Sequence, residues 1–486
     1  MTQHVVPLAK YSSLERVLTE WTVFTELPTF PLEQRIIFLR DQLGCFGNNF
    51  IPESLLPGLL QTTSVIPYLC DLLTLEPNDT SYQLVALHCL VNISVCPLVA
   101  EFFEDRPAYF VGFFQFLKLP TTIEQRFGNH GGLPDYYKRT AETMWFLRHV
   151  SIDSTELRNT CLEWAVLKNA AKTMSAMYEL GLTEPLCTFM WACSIFFDGT
   201  QSEFDDYSDM IPVLGMIMKS WYERPLVSAF AIGLMSLVLN EKTCDFSVVL
   251  SQVPDLFISC TQISRAVNDK IRSRFCKLLL SISSQPTGLL LPWYESGLIS
   301  LLNGVLFSCR AKDESTVLWA ISNFLCTSHS TVWDGDAIRD IMKMTMHIVF
   351  CDQTPKSTLL ECIFIFYNVA IRNGGPLIQF LLSEDILHVL EKLIVYFCDD
   401  SKAISLLCET LYWIVCWNMS DLSDSTWKKI FLLLPRKESD RFWNLLNIRF
   451  LQELPQDLPQ IEKLSLRDFS STKRLPNIAA LSLNDE

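Results

Sequence analysis

Between Ser315 and Leu325 the chain reads STVLWAISNFL. Val317, Leu318, Ile321, Phe324 and Leu325 fall at i, i+1, i+4, i+7 and i+8, which wraps one apolar stripe along an α-helix. Trp319 and Asn323, four residues apart, lie off that stripe and share another side of the helix. A large aromatic ring and an amide outside the core stripe need a contact of their own.

Taking this pair as a ruler, similar helices recur in both directions. The second ruler position falls at Asn92, His149, Ile195, Ser236, Ser281, Asn323, Asn368 and Trp417, with steps of 57, 46, 41, 45, 42, 45 and 49 residues. After the first step these sit near the period of roughly 40–47 residues of armadillo and HEAT repeats. The long first step contains Leu119–Tyr136, where Pro120, Gly128, Gly131, Gly132 and Pro134 predict an inserted loop. Second amphipathic segments lie between the rulers, at Met210–Trp221, Trp293–Phe307, Ala337–Val349 and Ile386–Phe397. Alternating patterns long enough to build a sheet do not occur. Each unit therefore reads as two longer helices and a short one, with an apolar stripe that only its neighbours can bury.

Composition narrows the function. The 486 residues are 49% hydrophobic and 12% aromatic, ample for an ordered core, and only 17 are glycine, which argues against phosphate-loop architectures. A net charge of −15 argues against nucleic-acid binding, which needs clustered Lys and Arg, and favours a basic peptide or basic protein surface. The 17 cysteines form no Cys-x-x-Cys pair. Cys89, Cys193, Cys276, Cys326, Cys362 and Cys416 lie in apolar helical runs, where buried, reduced thiols are expected. The first residues lack the apolar core of a signal peptide. Two uncharged runs, Ser81–Ala100 and Pro225–Asn240, read as buried solenoid helices rather than membrane spans, the first interrupted and the second short. A soluble protein of the cytoplasm, the nucleus or both is expected.

No Walker loop, GxGxxG, HExxH, EF-hand or GxSxG pattern occurs. His347 and Cys351 have the i, i+4 spacing of two metal ligands, but on a Met-rich apolar helix they are expected to pack. Neither an enzyme nor a cofactor or metal site is expected. The acidic run Asp198–Asp209 is either a solvated loop or an acidic rim that attracts a basic ligand. Asp313–Glu314 and Asp399–Asp400 are weaker versions of it.

The sharper signal is the ladder of ruler pairs. Trp145/His149, Trp191/Ile195, Trp319/Asn323 and Trp413/Trp417 place a Trp at one position of equivalent helices, and His88/Asn92 and Phe364/Asn368 supply other rings. Two readings stand. The face packs against neighbouring helices, or it lines a groove in which indoles sandwich the stems of Lys or Arg. In the second reading the Asn amides bond the donor and acceptor of an extended backbone.

At these residues the chain resembles the importin-alpha branch of armadillo-repeat proteins. LWAISNF at Leu318–Phe324 is similar to that family's third-helix signature, and the likeness spans Ser64–Ser420 as a repeat frame. The resemblance implies an all-α, right-handed armadillo/HEAT-type α-solenoid superhelix whose concave groove binds nuclear localisation signals. Trp319 and Asn323 match both halves of the signature; Trp145, Trp191 and Trp413 match the Trp, and Asn92 and Asn368 the Asn. His149, Ile195, Ser236, Ser281 and Trp417 stand where Asn is expected, and His88, Ile232, Lys277 and Phe364 where Trp is. The family's basic importin-beta-binding segment has no counterpart in residues 1–45, whose only Lys and Arg are Lys10, Arg16, Arg35 and Arg40. The expected organisation is an N-terminal helical cap (1–60, with a helix at Leu32–Cys45), about eight repeats (61–435), a capping helix (436–454) and a flexible tail (455–486). The expected function is a non-catalytic adaptor, diverged from the import carriers. It binds an extended basic protein segment through Asn92, Trp145, Trp191, Trp319, Asn323 and Asn368, with Trp413 set aside because Trp417 suggests local packing. The alternative is a scaffold subunit that binds a folded or helical partner.

Overall fold

A computed structural model of the chain describes residues 56–417, with breaks at 63, 76–79, 119–131, 198–202, 328–334 and 373–375, and beyond them Ser423 and Ile430. The helix expected at Leu32–Cys45, the capping helix at 436–454, the tail at 455–486 and all but the end of the 1–60 cap lie outside the described residues. The described part is helical, and its contacts gather into two units, Met1–Asp245 and Phe246–Glu486.

In the first unit the helices are α1 (Leu56–Thr62), α2 (Val65–Leu75), α3 (Thr80–Ile93), α4 (Leu98–Asp105) and α5 (Pro107–Gly112). They continue with α6 (Gly132–Asp153), α7 (Thr155–Glu163), α8 (Ala170–Glu179), α9 (Thr183–Cys193), α10 (Phe204–Tyr207), α11 (Met210–Lys219) and α12 (Pro225–Asn240). The ruler helices α3, α6, α9 and α12 form a continuous row, each packed on the next. The shorter helices α8 and α11 pack on each other and on the ruler helices α9 and α12 that follow them.

The second unit repeats the scheme. Its helices are α13 (Phe246–Gln252), α14 (Leu256–Ile263), α15 (Asp269–Ser283), α16 (Thr287–Glu295), α17 (Leu298–Ser308) and α18 (Ala311–Thr327). After these come α19 (Asp336–Phe350), α20 (Lys356–Arg372), α21 (Pro376–Ser383), α22 (Ile386–Tyr396) and α23 (Ser401–Trp417). Here α15, α18, α20 and α23 make the ruler row, and α17, α19 and α22 a second row beside it. A short first helix, a second helix and a long third helix stacking on its equivalents give an all-α solenoid of armadillo-like repeats.

Local chemistry sets the element ends. Asn268 caps α15 by accepting from the backbone N–H of Lys270 and Ile271, and Ser154 caps α7 through Leu157. Pro225 opens α12 at its first turn, where the missing N–H costs nothing. The stripe on α18 is core as expected, with Val317, Leu318, Ile321, Phe324 and Leu325 all buried. Three expectations change. Trp293–Phe307 is not one segment: Gly297 takes φ 101°, and α16 and α17 meet there at a bend of 83°. Residues 132–136 of the expected loop already belong to α6, whose first turn accommodates Pro134. Phe204–Tyr207 of the acidic run is a short helix, with Tyr207 buried and its hydroxyl 2.9 Å from that of Thr243.

No single described helix is long and apolar enough to cross a membrane. The run Ser81–Ala100 divides between α3 and α4, which are bent by 117° from each other. Cys89, Cys193, Cys276 and Cys362 are free and buried, and Cys326 is free and partly exposed.

Candidate functional site: the third-helix face

The ladder residues occupy one side of the third helices, and the two units use them differently. In the first unit Trp145, Arg148 and His149 of α6 and Trp191 of α9 are all half-buried and converge. The indole N–H of Trp145 donates to His149 Nε2 at 2.7 Å, which identifies Nε2 as the unprotonated nitrogen. His149 Nδ1 lies 2.9 Å from the hydroxyl of Ser94, just beyond α3. That hydroxyl already donates to the carbonyl of Val91 at 2.6 Å, so Nδ1 carries the proton and Ser94 accepts it. The result is a one-way relay from Trp145 through His149 and Ser94 to Val91, tying α6 to α3. Burial, with Arg148 adding repulsion, lowers His149 to about 4, so the imidazole is neutral at pH 7.

Trp191 meets the edge of Trp145 in a T-shaped contact with ring centroids 5.4 Å apart. Its face is covered by the chain's own Arg148, whose guanidinium carbon lies 4.2 Å from the ring centroid. The indole sandwich expected for an incoming basic side chain thus already holds an internal cation at this rung. One turn before Trp145, burial pushes Glu142 up to about 7, with Glu184 of α9 adding to the shift.

In the second unit the amides are anchored in the stack. Asn323 Nδ2 donates to the hydroxyl of Ser283, the last residue of α15, at 3.1 Å. That hydroxyl spends its own proton on the carbonyl of Leu280, which fixes the direction of the bond. Asn368 Nδ2 donates to both the carbonyl and the hydroxyl of Ser322 on α18, each at 3.0 Å. A carbonyl can only accept, so the amide orientation is settled here too. His149 therefore does in the first unit what Asn323 and Asn368 do in the second: it donates to a serine on, or directly after, the preceding third helix.

What remains open on the second unit's face is the indole of Trp319, half-buried and without a hydrogen-bond partner among the described residues. The exposed ring of Phe364 and the carboxyl of Glu361 join it, three residues apart on α20 and on the same face as Asn368. Burial alone pushes Glu361 up to about 7, and it has no hydrogen bond or ion pair among the described residues. On α23 Trp413 packs edge-on against Tyr412, with centroids 5.7 Å apart, and Glu409 meets the hydroxyl of Tyr367 at 3.5 Å. The side chain of Trp417 lies outside the described residues. Asn92 is half-buried on α3 and engaged within the fold. Ile195, Ser236 and Ser281 are buried, so the second ruler position faces inward at those three rungs.

Residue pattern alone missed the serines. Ser94 and Ser283 each stand two positions after a ruler residue, a signal that could have been read, whereas nothing in the sequence marked Arg148 as the occupant of Trp191. Elsewhere, Cys351 follows the end of α19 in extended conformation, so it does not share a helix face with His347. Asp313 is buried and accepts from Ser273 at 2.7 Å, and Asp400 caps α23 and pairs with Lys356 at 3.2 Å. Both are engaged within the fold.

No protein-family model matches the chain, and no curated protein matches it by sequence. Solved structures do. An engineered protein superposes over 88% of this chain and 98% of its own length, with a TM-score of 0.67 and 16% identity. The likeness is one of fold. A second engineered protein covers 51% of this chain and 97% of itself at a TM-score of 0.43 and 15% identity. A designed armadillo repeat protein covers 62% and 98% at a TM-score of 0.38 and 10% identity.

Proposed function

We propose that this protein is a non-catalytic scaffold that binds an extended, basic protein segment on its third-helix face. The observation that carries the reading is Glu361. A carboxyl desolvated on the helix face of Phe364 and Asn368, with no cation partner among the described residues, is stabilised by an incoming Lys or Arg, and the Phe364 ring would cover the stem of that side chain. The unbonded N–H of Trp319 adds a donor for a backbone carbonyl, and the chain's net charge of −15 favours the encounter. In the first unit Asn92, Trp145 and Trp191 lie on that unit's own third-helix face and mainly shape it, since Asn92, the Trp145 N–H and the Trp191 ring are engaged within the fold. Cargo targeting, nuclear import included, with residence in cytoplasm and nucleus, is the finer form of this reading.

The test is titration of a fluorescein-labelled Lys-rich nuclear localisation peptide into the full chain at low salt, followed by anisotropy. Wild type binds, Glu361→Gln weakens binding about tenfold, the size of one charge-assisted contact, and Trp319→Ala weakens it about fivefold, the size of one neutral hydrogen bond. Absence of wild-type binding refutes the reading.

A second reading, a scaffold for a folded or helical partner, is favoured by a different observation. In the second unit Phe307 on α17 and Val395 on α22 are 78% and 70% exposed at the ends of second helices, and in the first unit Tyr222 after α11 is 82% exposed. Ser substitutions at Tyr222, Phe307 and Val395 that abolish partner capture, with peptide binding intact, would select it.

A further inference from the structure

We propose that Arg148, stacked on Trp191, receives an acidic side chain, Asp or Glu, from a protein segment lying on the first unit's third-helix face. The inference rests on the reading of that face as a segment-binding surface and specifies its chemistry there. The guanidinium is a half-buried cation with no hydrogen bond or ion pair among the described residues, and its Nε is buried without a partner. A partly desolvated charge without a counter-ion is costly, and among the described residues only the Trp191 ring offsets it. Burial alone lowers its proton affinity, to a pKa of about 10, with no carboxylate acting in the other direction. Glu142 cannot reach it. Six residues earlier on one helix, it stands about 9 Å away along the axis and on another side.

The surroundings select the ligand. The Trp191 ring lies against the guanidinium, its centroid 4.2 Å from the guanidinium carbon, and the planar fork of N–H groups matches a planar, bidentate acceptor, which is what a carboxylate is. His149 takes no part, because both its nitrogens are committed, to Trp145 and to Ser94. Glu142 and Glu184 place negative charge on the same two helices, which disfavours a phosphate dianion and leaves a single carboxylate as the better fit. A partner segment would accordingly present an acidic residue to this unit, in contrast to the basic residue proposed for Glu361.

Random 12-residue peptides displayed on phage are selected on the full-length protein and on its Arg148→Gln and Arg148→Lys variants. Wild type is expected to enrich peptides with an acidic residue at one fixed position. In anisotropy titrations a synthetic peptide of that sequence loses about tenfold in affinity when the acid is replaced by its amide. Arg148→Gln binds acid and amide forms alike, and Arg148→Lys, charged but without the planar fork, recovers only part of the preference. Enrichment without an acidic position, or a preference unchanged in Arg148→Gln, overturns the inference and leaves the segment-binding reading standing. Failure to enrich any peptide overturns both.

Discussion

Lowering the pH should attack the first unit at His149. Folded, the imidazole accepts from Trp145, donates to Ser94 and titrates at about 4 against its ordinary 6.5. Because the folded pKa is the lower one, the unfolded chain binds the extra proton between these values. The contribution is whole above pH 6.5 and is lost as pH falls toward 4. At 1.36 kcal/mol per pH unit, moving from pH 7.5 to 4.5 removes about 2.5 kcal/mol. The carboxyls of Glu142 and Glu361 titrate in the same range with the opposite sign, so the raw pH curve mixes both. A difference measurement removes them. His149→Asn places at this rung the residue that serves it at Asn323 and Asn368, and it does not titrate. Thermal midpoints of wild type and variant are compared by circular dichroism at half-unit pH steps. The wild-type advantage at pH 7.5 should shrink by roughly 5 °C on reaching pH 4.5, at about 2 °C per kcal/mol for a unit of this size. A gap that stays constant across the range would refute the relay, because it would mean that His149 accepts a proton as readily folded as unfolded.

Three further outcomes test other parts of the structure. Ser283→Ala removes the acceptor of the Asn323 Nδ2–H and should cost about 1 kcal/mol, and a double-mutant cycle with Asn323→Ala in urea should show the two losses to be less than additive. Glu361→Gln should leave stability unchanged below pH 4.5 and raise it by about 2–3 kcal/mol at pH 8, since a carboxyl at about 7 is ionised against its surroundings only at the upper end. Iodoacetamide followed by peptide mapping should mark the exposed Cys351 and Cys398 in the native state. Cys161 and Cys260, buried and pushed up to about 12, should react only on unfolding.

The repeat frame was legible because it depends on period and polarity. Eight third helices at near-constant spacing stack as two rows of four, and the apolar stripe of α18 is buried as its spacing requires. What the pattern hid depends on a single backbone angle or on a partner far along the chain. Gly297 breaks a continuous apolar run that reads equally well as one helix. Ser94 lies 55 residues from His149 and Ser283 lies 40 from Asn323, so no local pattern pairs them. The ladder residues were correctly placed on one helix type, but a Trp and an amide look the same in sequence whether they face a ligand or the next helix. Arg148 illustrates the point: its position marks it as a surface charge, and only the fold lays it on Trp191.

The serine bridges act as rivets between successive third helices. Each fixes how one helix is rotated against the next, and with it the spacing at which neighbouring rungs are presented. A rivet must be kept for as long as the stack is kept, whatever lies on it. Persistence of Asn323, Asn368 or the substitute His149 therefore records a demand of assembly and is silent about cargo. The groups at liberty to drift with a changing partner are those without a hydrogen bond or ion pair among the described residues: the indole N–H of Trp319, the ring of Phe364 and the carboxyl of Glu361. Such a lineage can exchange one ligand for another without ever passing through an unstacked intermediate.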